Sequence, residues 1–125
     1  MDNYFDFSNL ATIHAGGFTG GMYLTNTAAA CEYIARDSRA NIIVVGDAKQ
    51  LDKILSIKNN LPDLKAIVLF DGEPSVPGVI SWNQLLKIGI FTFHDSYDTF
   101  IPTPRAPLIT DYNYHRQRCF TIHLR

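Results

Sequence analysis

The stretch Gly16-Gly17-Phe18-Thr19-Gly20-Gly21 is the part of this sequence closest in composition to a phosphate-binding loop. Glycines let backbone amides approach an anion closely, but two well-known patterns of that kind need more. One ends in Gly-Lys-Ser/Thr, which places an amine on the phosphates, and no such ending is present. The other follows a strand and opens a helix, whereas this run precedes an expected strand. It reads better as a helix-to-strand joint built from small residues. His14 has no carboxylate or cysteine near it at ligand spacing and reads as a structural histidine. His115 and His123 flank Cys119 at four-residue spacing, which would align all three only on a helix, and their segment shows no helical pattern. Asp71-Gly72-Glu73-Pro74 pairs two carboxylates with two turn formers and is explained by a surface turn. Trp82 reads as a packing residue. No serine–histidine–acid or cysteine–histidine arrangement can be assembled. No position is therefore assigned a catalytic, cofactor-binding or metal-ligating role.

The elements that would position any such group are clearer. Asn41-Ile42-Ile43-Val44-Val45-Gly46 and Ala66-Ile67-Val68-Leu69-Phe70 are short apolar runs without polar alternation. Strands apolar on both faces belong inside a parallel sheet with helices on each side. Between them, Leu51, Ile54, Leu55 and Lys58 recur at helical spacing, and the lysine stem can lie over the edge of a core. Asp47 with Gln50 has the form of a capping box, and Leu61-Pro62 stops the helix. Strand, helix and strand within this distance make a βαβ unit.

A second unit precedes it. Met22 to Thr25 is expected to be a short strand, and Thr27 to cap a helix from Ala28 to about Ser38 with Cys31, Ile34 and Ala35 inward. Val79-Ile80 begins another strand. Ser81 to Lys87 reads as a capped helix ending at Gly89. The expected fold class is α/β: a β-α-β-α-β three-layer fragment with a mainly parallel sheet, preceded by a helix from about Phe5 to Ala15.

Composition divides the chain near Gly89-Ile90. All 8 glycines and every lysine lie at or before Gly89. Ile101-Pro102-Thr103-Pro104-Arg105-Ala106-Pro107 reads as extended chain, because each proline removes an amide donor and restricts its predecessor. Residues 1–89 are expected to form a partial domain and 90–125 an irregular or disordered tail. The formal charge of −1 gives no electrostatic grip on nucleic acid or an anionic membrane. No apolar run of about 18 residues is present to span a bilayer, and the acidic Met1–Leu10 stretch is unlike a secretory leader. Two distant cysteines, Cys31 and Cys119, make no disulfide framework and fit a reducing, intracellular and cytoplasmic setting.

Against this background the residues resemble a family. Phe5 to Gly17 is similar to the helix-to-glycine passage of long-chain acyl-CoA synthetases, in the AMP-forming, adenylate-forming superfamily. Gly21-Met22-Tyr23-Leu24-Thr25-Asn26-Thr27 resembles their Gly-Ile-Tyr-Thr-Thr-Asn-Ser stretch. Lys49-Gln50-Leu51-Asp52-Lys53-Ile54-Leu55-Ser56-Ile57 followed by Leu61-Pro62-Asp63-Leu64-Lys65-Ala66-Ile67-Val68 is similar to the bubblegum-type subfamily in particular. Ser81-Trp82-Asn83-Gln84-Leu85-Leu86 continues the likeness, so that it covers about residues 5–89. The resemblance implies a piece of the N-terminal domain of a long-chain fatty acid–CoA ligase. Such an enzyme joins a fatty acid to ATP as an acyl-adenylate and then transfers it to coenzyme A, with magnesium accompanying the ATP. It also implies a phosphate loop approximating Thr-Ser-Gly-Thr-Thr-Gly-x-Pro-Lys-Gly, downstream motifs around the adenosine and a C-terminal lysine. None occurs in this sequence. The pattern is lost at about Ile90, where a different exon, a retained intron or an altered frame would produce such a break, and the start at Met1 is abrupt. The expectation is an inactive fragment, prone to self-association through uncovered sheet faces or edges, with membrane association open to the full-length family. Two other readings stand beside it: a stand-alone α/β binding module with a ligand at the carboxyl ends of its strands, and a non-catalytic partner of a full-length synthetase.

Overall fold

A computed structural model describes residues 3–95 and 120–124. The chain opens with helix α1 (Asn3–His14), whose end is set by Gly16. Its φ of 77° is left-handed, and the amides of Gly16 and Gly17 donate to the carbonyls of Ile13 and Thr12 at 2.9 and 2.8 Å. That pair of bonds satisfies the last carbonyls of the helix and turns the chain into strand β1 (Phe18–Met22). The glycine run is thus partly a helix stop and partly a strand. The strand lies earlier than the Met22–Thr25 expected from apolar character. Glycine carries no sequence signal for extended chain, and here the ladder partner fixes it.

Helix α2 (Ala28–Asp37) begins at Thr27, whose hydroxyl oxygen accepts the Ala30 amide at 3.2 Å. Strand β2 (Ile42–Val45) leads through Asp47 into helix α3 (Ala48–Ile57). The Asp47 carboxylate accepts the Gln50 amide at 2.9 Å. Only this half of the expected capping box forms, because Gln50 points inward at 5% exposure and its Oε1 has no hydrogen-bond partner. A 3-10 turn at Lys58–Asn60 precedes Leu61-Pro62. Strand β3 (Ala66–Leu69) and strand β4 (Val79–Ser81) follow.

Helix α4 (Trp82–Asp95) opens with a reciprocal cap. Gln84 Oε1 accepts the Ser81 amide at 2.9 Å, and Ser81 Oγ accepts the Gln84 amide at 3.3 Å. The helix does not stop at Gly89 as expected. That glycine has no positive φ, so it makes no C-terminal turn, and the helical backbone continues through residues 90–95. A mid-helix glycine costs only about 1 kcal/mol against alanine, which neighbouring helix-compatible residues outweigh. Strand β5 (Phe120–Leu124) is the second place where the expected irregular tail is regular instead. Its backbone finds ladder partners on both sides, which no local pattern in the sequence announces. The expectation for 96–119 lies outside the described residues.

The sheet runs β1-β5-β2-β3-β4, and every pairing is parallel. On one face, α2 and α3 pack over Met22, Ile43, Val45, Ile67 and Leu69 to form the main core. Cys31, Ile43, Val45 and Ile54 have no exposed surface. On the other face lie Ile42 and Val44, between α1 and α4. This is the α/β three-layer arrangement expected from strands apolar on both faces.

Candidate functional site

A cavity lies on the outer face of the sheet. It is a groove of about 1010 Å³ floored by Ile42 and Val44 of β2. One wall is α1 and the other is α4, which contributes Trp82, Leu85 and Leu86. The ring of Trp82 is held by Phe70, with centroids 5.1 Å apart and planes inclined at 56°. Among the described residues that line the groove, none is an acid or a base. The polar groups are the hydroxyls of Ser8 and Thr12, and the rest of this lining is apolar.

Helix α1 meets this groove in an unusual sense. Its buried positions are Ser8 and Thr12, at 5% and 8% exposure, while Phe7, Leu10 and Ile13 are more than half exposed. The inward turn of Thr12 is tolerable because its hydroxyl donates to the Ser8 carbonyl at 2.8 Å. Leu10 and Ile13 are therefore left outside the groove, which α1 lines with Phe7, Ser8, Ala11, Thr12 and Ala15. Leu86, Ile88 and Ile90 of α4 are also exposed, at 49–68%.

The carboxyl ends of the strands form the other natural site in an open α/β sheet. Here Lys53 occupies the space beyond β1: its ammonium donates to the carbonyls of Leu24 and Asn26, each at 2.9 Å. The Asp47 carboxylate is taken up by its own helix cap. These groups brace loops against α3, a role for Lys53 that helical spacing alone does not disclose.

The residues weighed in the sequence fall as follows. His14 is exposed in the last turn of α1, and Asp71, Gly72 and Glu73 form an exposed turn after β3. Trp82 is a packing residue. His115 and Cys119 lie outside the described residues, and His123 belongs to β5. Among the described residues no group of three histidines, cysteines or acids is placed to hold a metal ion. The cysteine on α2, Cys31, is a buried free thiol, raised above its ordinary pKa by burial and partly lowered by the Lys53 charge.

No protein-family model matches the chain, and no solved structure matches it. Curated sequences do. The long-chain-fatty-acid–CoA ligase ACSBG1 of Rattus norvegicus is 41% identical over 99 residues, 78% of this chain. ACSBG2 of Xenopus laevis is 43% identical over 84 residues, 66% of this chain, and human ACSBG1 is 38% identical over 99. The homologues of this chain are bubblegum-type long-chain fatty acid–CoA ligases. The family resemblance is thereby supported, although an alignment of 99 residues extends beyond the 5–89 window in which the resemblance was expected. The chain spans only 14% of the rat and human ligases and 11% of the frog one. No helix among the described residues is long and apolar enough to cross a membrane.

Proposed function

We propose that this chain is part of the N-terminal α/β domain of a bubblegum-type long-chain fatty acid–CoA ligase and does not activate fatty acids by itself. The observation that carries the reading is the match to 14% of the relatives' length at 41% identity. The structure supports it through what the local groups are already doing. A nucleotide phosphate would need amides and an ammonium directed at it. The glycine run instead spends its backbone on a helix stop and a strand, and Lys53 is committed to two carbonyls. The residues present do not fit an ATP site, and we route no step of the reaction through them. ATP, magnesium, coenzyme A and the fatty acid belong in this reading to the full-length ligase.

Composition divides the chain near Gly89, but the ligase-like part runs past that point, because the match to the rat ligase takes in 78% of the chain and residues 1–89 are fewer than that. Helix α4 likewise crosses the division unbroken. The setting is intracellular and cytoplasmic, with membrane association left to the full-length enzyme. The exposed apolar residues of α1 and α4 would, in a whole ligase, be covered by chain beyond this match, and alone they favour self-association.

The test is ATP–pyrophosphate exchange with palmitate and magnesium on the purified chain, beside a full-length ligase as positive control. Exchange at background is the expected result. A palmitate-dependent signal from the purified chain would overturn the reading and favour a complete enzyme.

A further inference from the structure

Asp71-Gly72 opens the connection from β3 to β4 and is the one Asp-Gly pair in a sequence that has no Asn-Gly pair. Such a pair sets an electrophile and a nucleophile on neighbouring residues. The Gly72 amide nitrogen can close on Asp71 Cγ in a five-membered ring, and an attack within one chain depends chiefly on whether the two groups can be brought together. Both residues are exposed. Gly72 has a φ of 96°, and its chain neighbours aside, no heavy atom lies within 4 Å of where a Cβ would stand. The ring therefore has open space on the glycine side and no side chain to obstruct it.

The hydrogen bonds stop at the right atom. The amides of Phe70 and Asp71 donate to the carbonyls of Val45 and Gly46 at 2.9 and 3.0 Å, which continues the β2–β3 ladder. Among the described residues the Gly72 amide has no partner, and neither has the Asp71 carboxylate. Ring closure needs rotation about the Asp71 Cα–C bond, and that bond lies just past the last anchored amide.

Other acids are held differently. Asp37 is also followed by a small residue, Ser38, but the Ser38 amide donates to the Ile34 carbonyl at 3.0 Å and its hydroxyl to the same oxygen at 2.6 Å. The nitrogen that would attack is thus fixed at the end of α2. The Asp47 carboxylate is engaged by the Gln50 amide at 2.9 Å.

We propose that Asp71 is a spontaneous modification site, at which this chain isomerises through a cyclic imide. The Gly72 nitrogen bonds to Asp71 Cγ and gives up its proton, the Cγ–hydroxyl bond breaks, and one water leaves. Water then adds to the main-chain carbonyl carbon of Asp71 and breaks its bond to the Gly72 nitrogen. The chain now runs through Cβ and Cγ, a carboxylate is left on Cα, and the mass is unchanged. The product puts an extra atom into the main chain directly after Phe70, whose ring holds Trp82 at the wall of the groove. Nothing in this chemistry depends on the ligase reading.

The experiment incubates the full chain and its Asp71→Glu variant at neutral pH, beside synthetic peptides of residues 67–76 and 33–42. Isoaspartate is located by enzymatic methylation of its carboxylate with a labelled methyl donor, followed by peptide mapping. The variant keeps the charge at an exposed position but would need a six-membered ring, which closes far more slowly. Wild type is expected to gain label at Asp71 at a rate within tenfold of its peptide, and at Asp37 at a rate at least tenfold below its own peptide. The variant is expected to lose the label between residues 67 and 76. Label at Asp71 that is absent, or more than tenfold slower than in the peptide, would overturn the proposal, because the fold would then hold the amide away from the carboxyl. So would label at Asp37 equal to that at Asp71, or label that persists in the variant.

Discussion

Cys31 lies on the inward side of α2 with no exposed surface, and two influences act on its thiol in opposite directions. Burial disfavours the thiolate and is the larger; the ammonium of Lys53 favours it and is the smaller. The net effect raises the folded-state pKa above that of the unfolded chain. The neutral thiol is then the form that the fold prefers. Its contribution is fully present below the unfolded pKa and is lost as the pH rises through the folded one. Urea midpoints measured at pH 7 and pH 10 are expected to fall further for wild type than for Cys31→Ala. Other groups ionise equally in both proteins, so the difference between the two falls isolates this thiol. Equal falls would show that the Cys31 environment does not penalise the thiolate. The same inward side of the fold holds Gln50 with an unpartnered Oε1, a polar atom whose burial opposes stability.

At the scale of elements, caps do much of the work of placing helices. Asp47 satisfies the Gln50 amide at 2.9 Å at the point where β2 becomes α3. Asp47→Ala is expected to lower stability by about 1 kcal/mol in a urea melt, with Asp47→Asn close to wild type. An alanine variant within error of wild type would mean that water replaces the carboxylate at no cost. Helix α2 ends on Arg39 in the left-handed region at φ 54°, with Ala40 donating to the Ala35 carbonyl at 3.0 Å. This is the same termination that Gly16 gives α1, made by a residue for which the conformation is less favourable.

For the whole molecule, the governing feature is an asymmetry between its two faces. One face is closed by α2 and α3 over residues with little or no exposure, while the other keeps a groove of about 1010 Å³. Around that groove the apolar residues Phe7, Leu10, Ile13, Leu86, Ile88 and Ile90 remain exposed. Each side chain left uncovered forfeits on the order of 1–2 kcal/mol of burial, against a total stability of about 5–15 kcal/mol for a small domain. The chain is expected to scatter light more steeply than in proportion to concentration. The double variant Leu10→Lys, Ile13→Glu should reduce that scattering at least twofold without moving the urea midpoint appreciably, because both positions are already exposed. Unchanged scattering would remove the outer side of α1 from the association surface. A monodisperse wild-type monomer with a steep melt would mean that the chain closes its own core.

The sequence by itself determined the β2-α3-β3 unit, α2 and its Thr27 cap, the Ser81 start of α4 and the α/β class. These rest on signals carried within a few residues: β-branched runs, an oxygen before a helix and a proline after one. It also determined the family, because the order of short matches from Phe5 to Leu86 is itself information. Tertiary structure decided the rest. Strand β1 begins at Phe18 and not Met22, and β5 is a strand at all, because each finds its ladder partner about a hundred residues away along the chain. The length of α4 beyond Gly89 and the inward turn of Ser8 and Thr12 were equally hidden. The groove followed from them, since it exists only where α1 and α4 come to lie side by side over Ile42 and Val44. Local propensity specifies an element when the deciding contacts are near in sequence. Where they are far, only packing chooses among conformations that the local chain finds nearly equal in energy.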